Sequence, residues 1–226
     1  MQHITIISFL ILSIFNSCDR FKTDSQSESK SKDEIDKKEN LLTDIIPLYE
    51  DGDVNAIIEI PSGTTEKWEL NKSTGQIQWE MIDSKPRIIN YLGYPGNYGM
   101  IPRTLLSKEQ GGDGDPLDII VLGGPVERGS VIKCKIIGVL YLVDRGEQDD
   151  KLIAISADSP LYEVDNMVEI NERYNGITEI LQLWFTNYKG PGKMASKGFG
   201  DRNSAIKILE AAIIEYQLND AEHIDE

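Results

Sequence analysis

Asp113-Gly114-Asp115-Pro116-Leu117-Asp118-Ile119-Ile120-Val121-Leu122 joins a turn rich in carboxylates to a short apolar run. Gly and Pro bend the backbone without bulky side chains, and Ile-Ile-Val-Leu has the composition of a buried strand. The aspartates therefore stand at the mouth of a strand and converge on one point. Carboxylates so placed repel each other unless a cation lies between them, and hard divalent ions such as Mg²⁺ take oxygen ligands of this kind. Taken alone, such a segment also reads as a polar hairpin tip.

Residues 55–60, 67–70, 76–80, 87–91 and 119–122 read as strands, separated by turns at Pro61-Ser62-Gly63, Ser73-Thr74-Gly75 and Gly111-Gly112. In the long stretch from Val131 to Val143, alternation places Ile132, Cys134, Ile136, Leu140 and Leu142 on one face and Lys133 and Lys135 on the other. Cys134 is thereby expected to point inward as a small hydrophobe. Residues 151–156 give another strand, and short strands at this spacing predict a small barrel. Two helices follow. Ile177, Ile180, Leu181, Trp184, Phe185 and Tyr188 recur at helical spacing up to Gly190-Pro191-Gly192. Ala205, Ile208, Leu209, Ala212, Ile213 and Tyr216 repeat the pattern, with Asp201 or Asn203 as the cap. Each helix carries one apolar stripe and should pack on the outside of the sheet. The expected class is α+β, mainly β.

The 226 residues carry 38 acidic against 23 basic side chains, a formal charge of −15. With no basic stripe to displace counterions from phosphates, nucleic acid is not the expected partner. An anionic substrate would be repelled overall, so local cations must reverse the sign at any site that takes one. The histidines are His3 and His223, one near each end, and the cysteines are Cys18 and Cys134. A Ser-His or Cys-His nucleophile has no base within the domain, and a histidine zinc site has no ligands. Chemistry here must run on carboxylates, Lys, Arg, Tyr and oxygen-bound metals.

Ile4 to Phe15 is an apolar run too short to span a bilayer by the roughly 20-residue rule, and Asn16-Ser17-Cys18 follows it. That shape is a secretory segment with a lipoprotein-like processing site. Residues 1–17 are therefore expected to be a signal peptide, Cys18 the lipidated residue, 18–40 a disordered charged tether, and 41–226 the folded domain. The chain would then be exported and held at a membrane only through its lipid; without a working signal it would stay in the cytoplasm.

Asp144-Arg145-Gly146-Glu147-Gln148-Asp149-Asp150-Lys151 is a second acidic cluster, between the long strand and the next. Alone it is a solvated hairpin loop; with Asp113, Asp115 and Asp118 it could close a site for several ions. Lys67, Arg87, Tyr94, Tyr98, Lys151, Tyr188 and Lys189 recur near strand ends. Arg offers a planar fork to phosphate oxygens and Lys a point charge, so their mixture with carboxylates suits phosphoryl transfer. Tyr188, on an apolar helical face, also reads as core, and Lys67 and Lys189 also read as surface.

With these pieces in view, the chain resembles the soluble family I inorganic pyrophosphatases. The resemblance rests on Asp113 to Asp118 and on matches in the same order: Ile58-Glu59-Ile60-Pro61, Lys67-Trp68-Glu69-Leu70, Tyr94-Pro95-Gly96-Asn97-Tyr98-Gly99, Asp144 to Lys151, and Trp184-Phe185 with Tyr188-Lys189. It implies an OB-like five-stranded β-barrel with additional strands and two flanking C-terminal helices. It also implies hydrolysis of pyrophosphate, taken as its magnesium complex, with several Mg²⁺ ions per site. By position, Asp113, Asp118 and Asp149 would hold the principal ion, with Asp118 bridging to a second. Asp144 and Asp149 would hold an ion carried by the substrate, and Glu59 would position a further one. Asp115 would be the general base. Lys67, Arg87, Tyr98, Lys151, Tyr188 and Lys189 would contact phosphate, with Glu69 and Tyr94 in support. A homo-oligomer, dimer or hexamer, is compatible with the resemblance.

Two departures stand out. Arg145 occupies a place where the family commonly has Glu, which implies a reordered acidic loop or a weaker fourth-ion site. The segment between Trp79 and Tyr94 is longer than in compact bacterial members, so the register of Arg87 is open. Lys193 and Lys197 read as surface residues. The competing function is a non-catalytic module on the same barrel that binds divalent cations or polyanions. Asp115 argues against it, because a plain metal cage needs no base beside its ligands.

Overall fold

The computed structural model describes residues 38–108 and 112–222. The candidate signal segment, Cys18 and most of the expected tether lie outside the described residues. Asn40 already takes part in the folded unit, since its side-chain oxygen accepts from the backbone N–H of Leu42 at 2.9 Å and of Thr43 at 3.2 Å.

Strand β1 (Val54–Ile60) is followed by the hairpin β2 (Trp68–Asn71) and β3 (Gln76–Trp79), then the short hairpin β4 (Met81–Ile82) and β5 (Lys85–Pro86). Next come β6 (Asn97–Met100), β7 (Asp118–Leu122), β8 (Val131–Asp144), β9 (Glu147–Gln148) and β10 (Lys151–Ser156). Helices α1 (Met167–Arg173) and α2 (Ile177–Asn187) precede β11 (Met194–Gly200), and α3 (Arg202–Glu222) closes the described chain. The main sheet runs β1-β6-β7-β10-β8-β11, and a further pairing of β1 with β8 closes its first five strands into a barrel. Closure leaves none of these five strands as an open edge, while β9 and β11 each pair with β8 alone. Its β7–β10 pair is parallel, whereas β1–β6, β6–β7 and β8–β10 are antiparallel.

Alternation divides the buried side chains between two faces. Ile120, Leu122, Ile153 and Ile155 pack with Leu181, Trp184 and Phe185 of α2 and Met167 of α1. Ile119, Val121, Leu152 and Ala154 pack with Ala205, Leu209 and Ala212 of α3. Helix α3 starts as its sequence requires, with the Asp201 side chain accepting from the Ser204 N–H at 2.8 Å.

The long strand corrects a prediction. Ile132, Cys134 and Ile136 face the α3 side, but Leu140 and Leu142 face the α2 side with Ile137. The cause is a bulge: Ile153 pairs with Gly138 and Ala154 with Ile136, leaving Ile137 extra and reversing the faces beyond it. Gly138 sits where α1 comes closest, since a Cβ there would lie 2.3 Å from Met167 Cγ. Cys134 is fully buried, as expected.

The predicted strand 87–91 is also corrected. The pairing near it stops at Pro86, and only an isolated bridge joins Ile88 to Glu66. Asp83 and Ser84 turn the hairpin with positive φ, and the Arg87 N–H donates to Glu80 O. Beyond it, the Lys67 N–H donates to Arg87 O at 3.0 Å and the Ile89 N–H to Thr65 O at 2.8 Å, a single bridge instead of a continuing ladder.

Candidate active site

The fold brings the predicted residues together by register. In the parallel pair, Ile119 stands opposite Leu152, so Asp118 and Lys151, each one residue earlier, meet at the same end of the barrel. Lys151 Nζ donates to Asp118 Oδ2, and to Asp149 Oδ1 at 2.8 Å. Asp149 is placed by the β8–β9 hairpin, its N–H donating to Leu142 O at 3.0 Å. Only 3% of the Lys151 side chain is exposed. Burial alone would push its pKa down, but Asp118 and Asp149 outweigh that and raise it.

Glu59 reaches the site through another bulge. Ile58 pairs with Gly99 and Ile60 with Tyr98, so Glu59 is the extra residue and its side chain is re-aimed. Gly99 permits the close approach of the two backbones, since a Cβ there would lie 1.9 Å from Ile57 O. Glu59 accepts from the Leu70 N–H at 2.7 Å, tying the barrel to the β2–β3 hairpin. Burial raises its carboxyl to about 7 against the opposing pull of Lys67.

The aspartate turn is self-organised, with the Asp115 N–H donating to Asp113 Oδ1 at 2.9 Å. Asp113 is raised by burial and further by the charges of Asp115 and Asp118. Lys72, at the tip of β2–β3, reaches across to donate to Asp115 Oδ1 at 2.6 Å and to Gly114 O at 2.8 Å. Arg87 directs one guanidinium nitrogen to both oxygens of Glu80 at 2.8 Å. Lys67 lies over the Tyr98 ring, 5.6 Å from its centroid.

One cavity of about 340 Å³ collects Asp113, Asp115, Asp118, Asp149, Glu59 and Glu69 on its acidic side. Lys67, Arg87, Lys151, Lys189, Tyr98 and Tyr188 line the same space. Two candidates stand outside it. Tyr94 is buried in an aromatic wall, 4.3 Å from the Trp184 centroid and 5.3 Å from that of Tyr98. Asp144 lies in an adjoining cavity, where its Oδ2 accepts from Lys189 at 2.7 Å. Tyr188 satisfies both of its readings: it stacks on Trp184 with centroids 4.6 Å apart and also lines the main cavity.

Lys72 and Glu80 are not among the sequence candidates, although they pair with Asp115 and Arg87 respectively. Asn71-Lys72-Ser73-Thr74 reads only as a polar turn, and nothing local shows that it folds over the aspartates.

The donor chemistry fits Mg²⁺. Hard carboxylate oxygens border one cavity, and a buried ammonium already sits where Asp118 and Asp149 converge. In this arrangement Lys151 and Lys72 serve as the counter-cations; among the described residues no three carboxylates close into a ligand cage by themselves.

A closed five-stranded barrel carrying carboxylates and phosphate-matching cations in one cavity defines a phosphoryl-processing site. Comparison with known proteins makes this specific. The family model for inorganic pyrophosphatase matches residues 56–217. The inorganic pyrophosphatase of Campylobacter jejuni is 35% identical over 168 residues, covering 73% of this chain and 92% of that protein. The solved Helicobacter pylori inorganic pyrophosphatase aligns with a TM-score of 0.65 at 32% identity, over 76% of this chain and 98% of that one. An N-terminally truncated vacuolar soluble pyrophosphatase of Trypanosoma cruzi, solved with PPi, aligns with a TM-score of 0.71 at 25% identity, over 75% and 70%. The chain belongs to the inorganic pyrophosphatase family.

Proposed function

We propose that this chain hydrolyses inorganic pyrophosphate to two orthophosphates, with Asp115 as general base and a ring of cations holding the two phosphates. The chain is an inorganic diphosphatase, in keeping with its family. The observation that carries the residue assignment is that Asp115 and the cations Lys67, Arg87, Lys151 and Lys189 line one cavity of about 340 Å³.

The division of labour follows from position. Asp115, on the exposed lip, takes the proton of the water that attacks the nearer phosphorus. Arg87 and Lys189, towards the adjoining cavity, hold the leaving phosphate as its charge develops. Tyr98 and Tyr188 are both raised by burial, which keeps their hydroxyls protonated as donors to phosphate oxygens. Tyr94 supports Tyr98 from behind, and Glu69 lies beside Lys67. Members of this family are generally Mg²⁺-dependent; here Asp113, Asp118 and Asp149 would hold the principal ion, Asp118 being shared with a second. Asp144 with Asp149, and Glu59, would hold others. When bound, Mg²⁺ supplies charge neutralisation to phosphate oxygens and acidifies water. A substrate arriving as its magnesium complex also lessens the repulsion from a chain of formal charge −15.

Released orthophosphate, measured with pyrophosphate and Mg²⁺, tests this reading. We expect two orthophosphates per pyrophosphate consumed. A protein that binds pyrophosphate without releasing orthophosphate would instead be a binding module.

We further propose export with lipid attachment at Cys18, supported by the apolar run and Ser17-Cys18. Among the described residues no helix is long and apolar enough to cross a membrane. Mass spectrometry of the N-terminus should find an acylated Cys18; an intact Met1 would rule this processing out.

A further inference from the structure

Next to the main cavity lies a second of about 300 Å³, lined by Arg87, Asp144, Arg145, Lys189 and Lys193. Four cations against one carboxylate form a local excess of positive charge on a chain whose formal charge is −15. Two of the cations are already engaged, Arg87 by Glu80 and Lys189 by Asp144. Arg145 and Lys193 make no ion pair among the described residues.

The backbone fixes this pair. Asp144 stands opposite Met194 in the β8–β11 ladder, and the Arg145 N–H donates to Lys193 O at 3.1 Å. The backbone thus keeps these two exposed residues adjacent on the wall of one cavity, neither of them in an ion pair, and an anion in that cavity would be drawn to both. Arg145 also has φ 51°, a turn conformation that suits Asn or Gly better than a long side chain. Asp144 does not supply the missing charge, because its Oδ2 is held by Lys189 and its Oδ1 is buried without a partner.

Arg87 and Lys189 line both cavities, whereas Asp115 lines only the first. The annex therefore continues the row of phosphate contacts from the end opposite the base. We propose that Arg145 and Lys193 form a subsite for a third phosphoryl group, so that the enzyme also accepts linear inorganic triphosphate. This rests on the diphosphatase reading above. The annex wall has no aromatic or apolar side chain on which a nucleoside could stack, which favours an inorganic chain over a nucleotide. Water attacks the terminal phosphorus beside Asp115, which takes the proton. The bond from that phosphorus to its bridging oxygen breaks, and the electron pair leaves on that oxygen. Orthophosphate and pyrophosphate are the products, and the pyrophosphate is itself a substrate.

The test compares wild type with the double variant Arg145→Gln/Lys193→Gln. Calorimetric titration in EDTA is expected to show triphosphate affinity falling by about tenfold or more in the variant, with pyrophosphate affinity changed less than about twofold, as loss of two charge-assisted contacts implies. With Mg²⁺, kcat/KM for triphosphate should fall in the same proportion while that for pyrophosphate is kept. Equal weakening of both ligands, no change for either, or failure of the wild type to bind or cleave triphosphate would each overturn the subsite. So would a loss confined to orthophosphate binding, which would mark the annex as a product site. Failure of the wild type to cleave pyrophosphate would refute the parent reading instead.

Discussion

Replacing Asp115 by Asn should lower the rate of pyrophosphate hydrolysis by about 10²–10⁴-fold with Mg²⁺ present, the range for losing a positioned general base. The variant keeps the shape of the carboxylate but cannot take the proton. Its fold should survive. Asp115 and its partner Lys72 are more than half exposed, at 57% and 52% of their side chains. An ion pair this open to water contributes little, roughly 0–1 kcal/mol. The bond that shapes the turn runs from the Asp115 backbone N–H to Asp113, and the substitution does not touch it. The loss should therefore fall on kcat, with KM and the urea unfolding midpoint nearly unchanged. Activity within about threefold of wild type would remove Asp115 from the role of base, since a general base contributes far more than that.

Much of the barrel was legible because its strands bury alternating or continuously apolar sequence. Residues 55–60, 119–122 and 151–156 are strands where the pattern puts them. Strand β6 was missed as an element because Asn97-Tyr98-Gly99-Met100 has no β-branched alternation; its place depends on Gly99 allowing β1 to come close. Strand β11 and helix α1 were missed too, being short and mixed in composition. Periodicity also carries no warning of a bulge, so the faces of β8 were misassigned beyond Ile136. At the site, the residue types gave the aspartates, lysines and tyrosines. Register decided which of them share a cavity, and that is a long-range property. It sends Asp144 next door, where it pairs with Lys189, a residue that lines both cavities, and brings in Lys72 from a turn that looks like plain surface.

Lys151 should prove to be the other sensitive position, because here function and stability draw on the same charge. In Lys151→Met the stem keeps its volume while the ammonium disappears from between Asp118 and Asp149. Removing one partner of a buried ionic group costs about 3–5 kcal/mol when the remainder is left unpaired. The two aspartates are 26% and 20% exposed, so water softens the penalty, and a loss near 2–3 kcal/mol in urea unfolding under EDTA is expected. Turnover should fall by about 10²-fold, as for removal of one preorganised electrostatic donor. Because the bared carboxylates then want a cation more than before, adding Mg²⁺ should raise the unfolding midpoint of the variant more than that of wild type. Equal midpoint gains in the two proteins would show that Lys151 does not share its carboxylates with the metal. A stable and fully active variant would show that the triad is neither a structural nor a catalytic element.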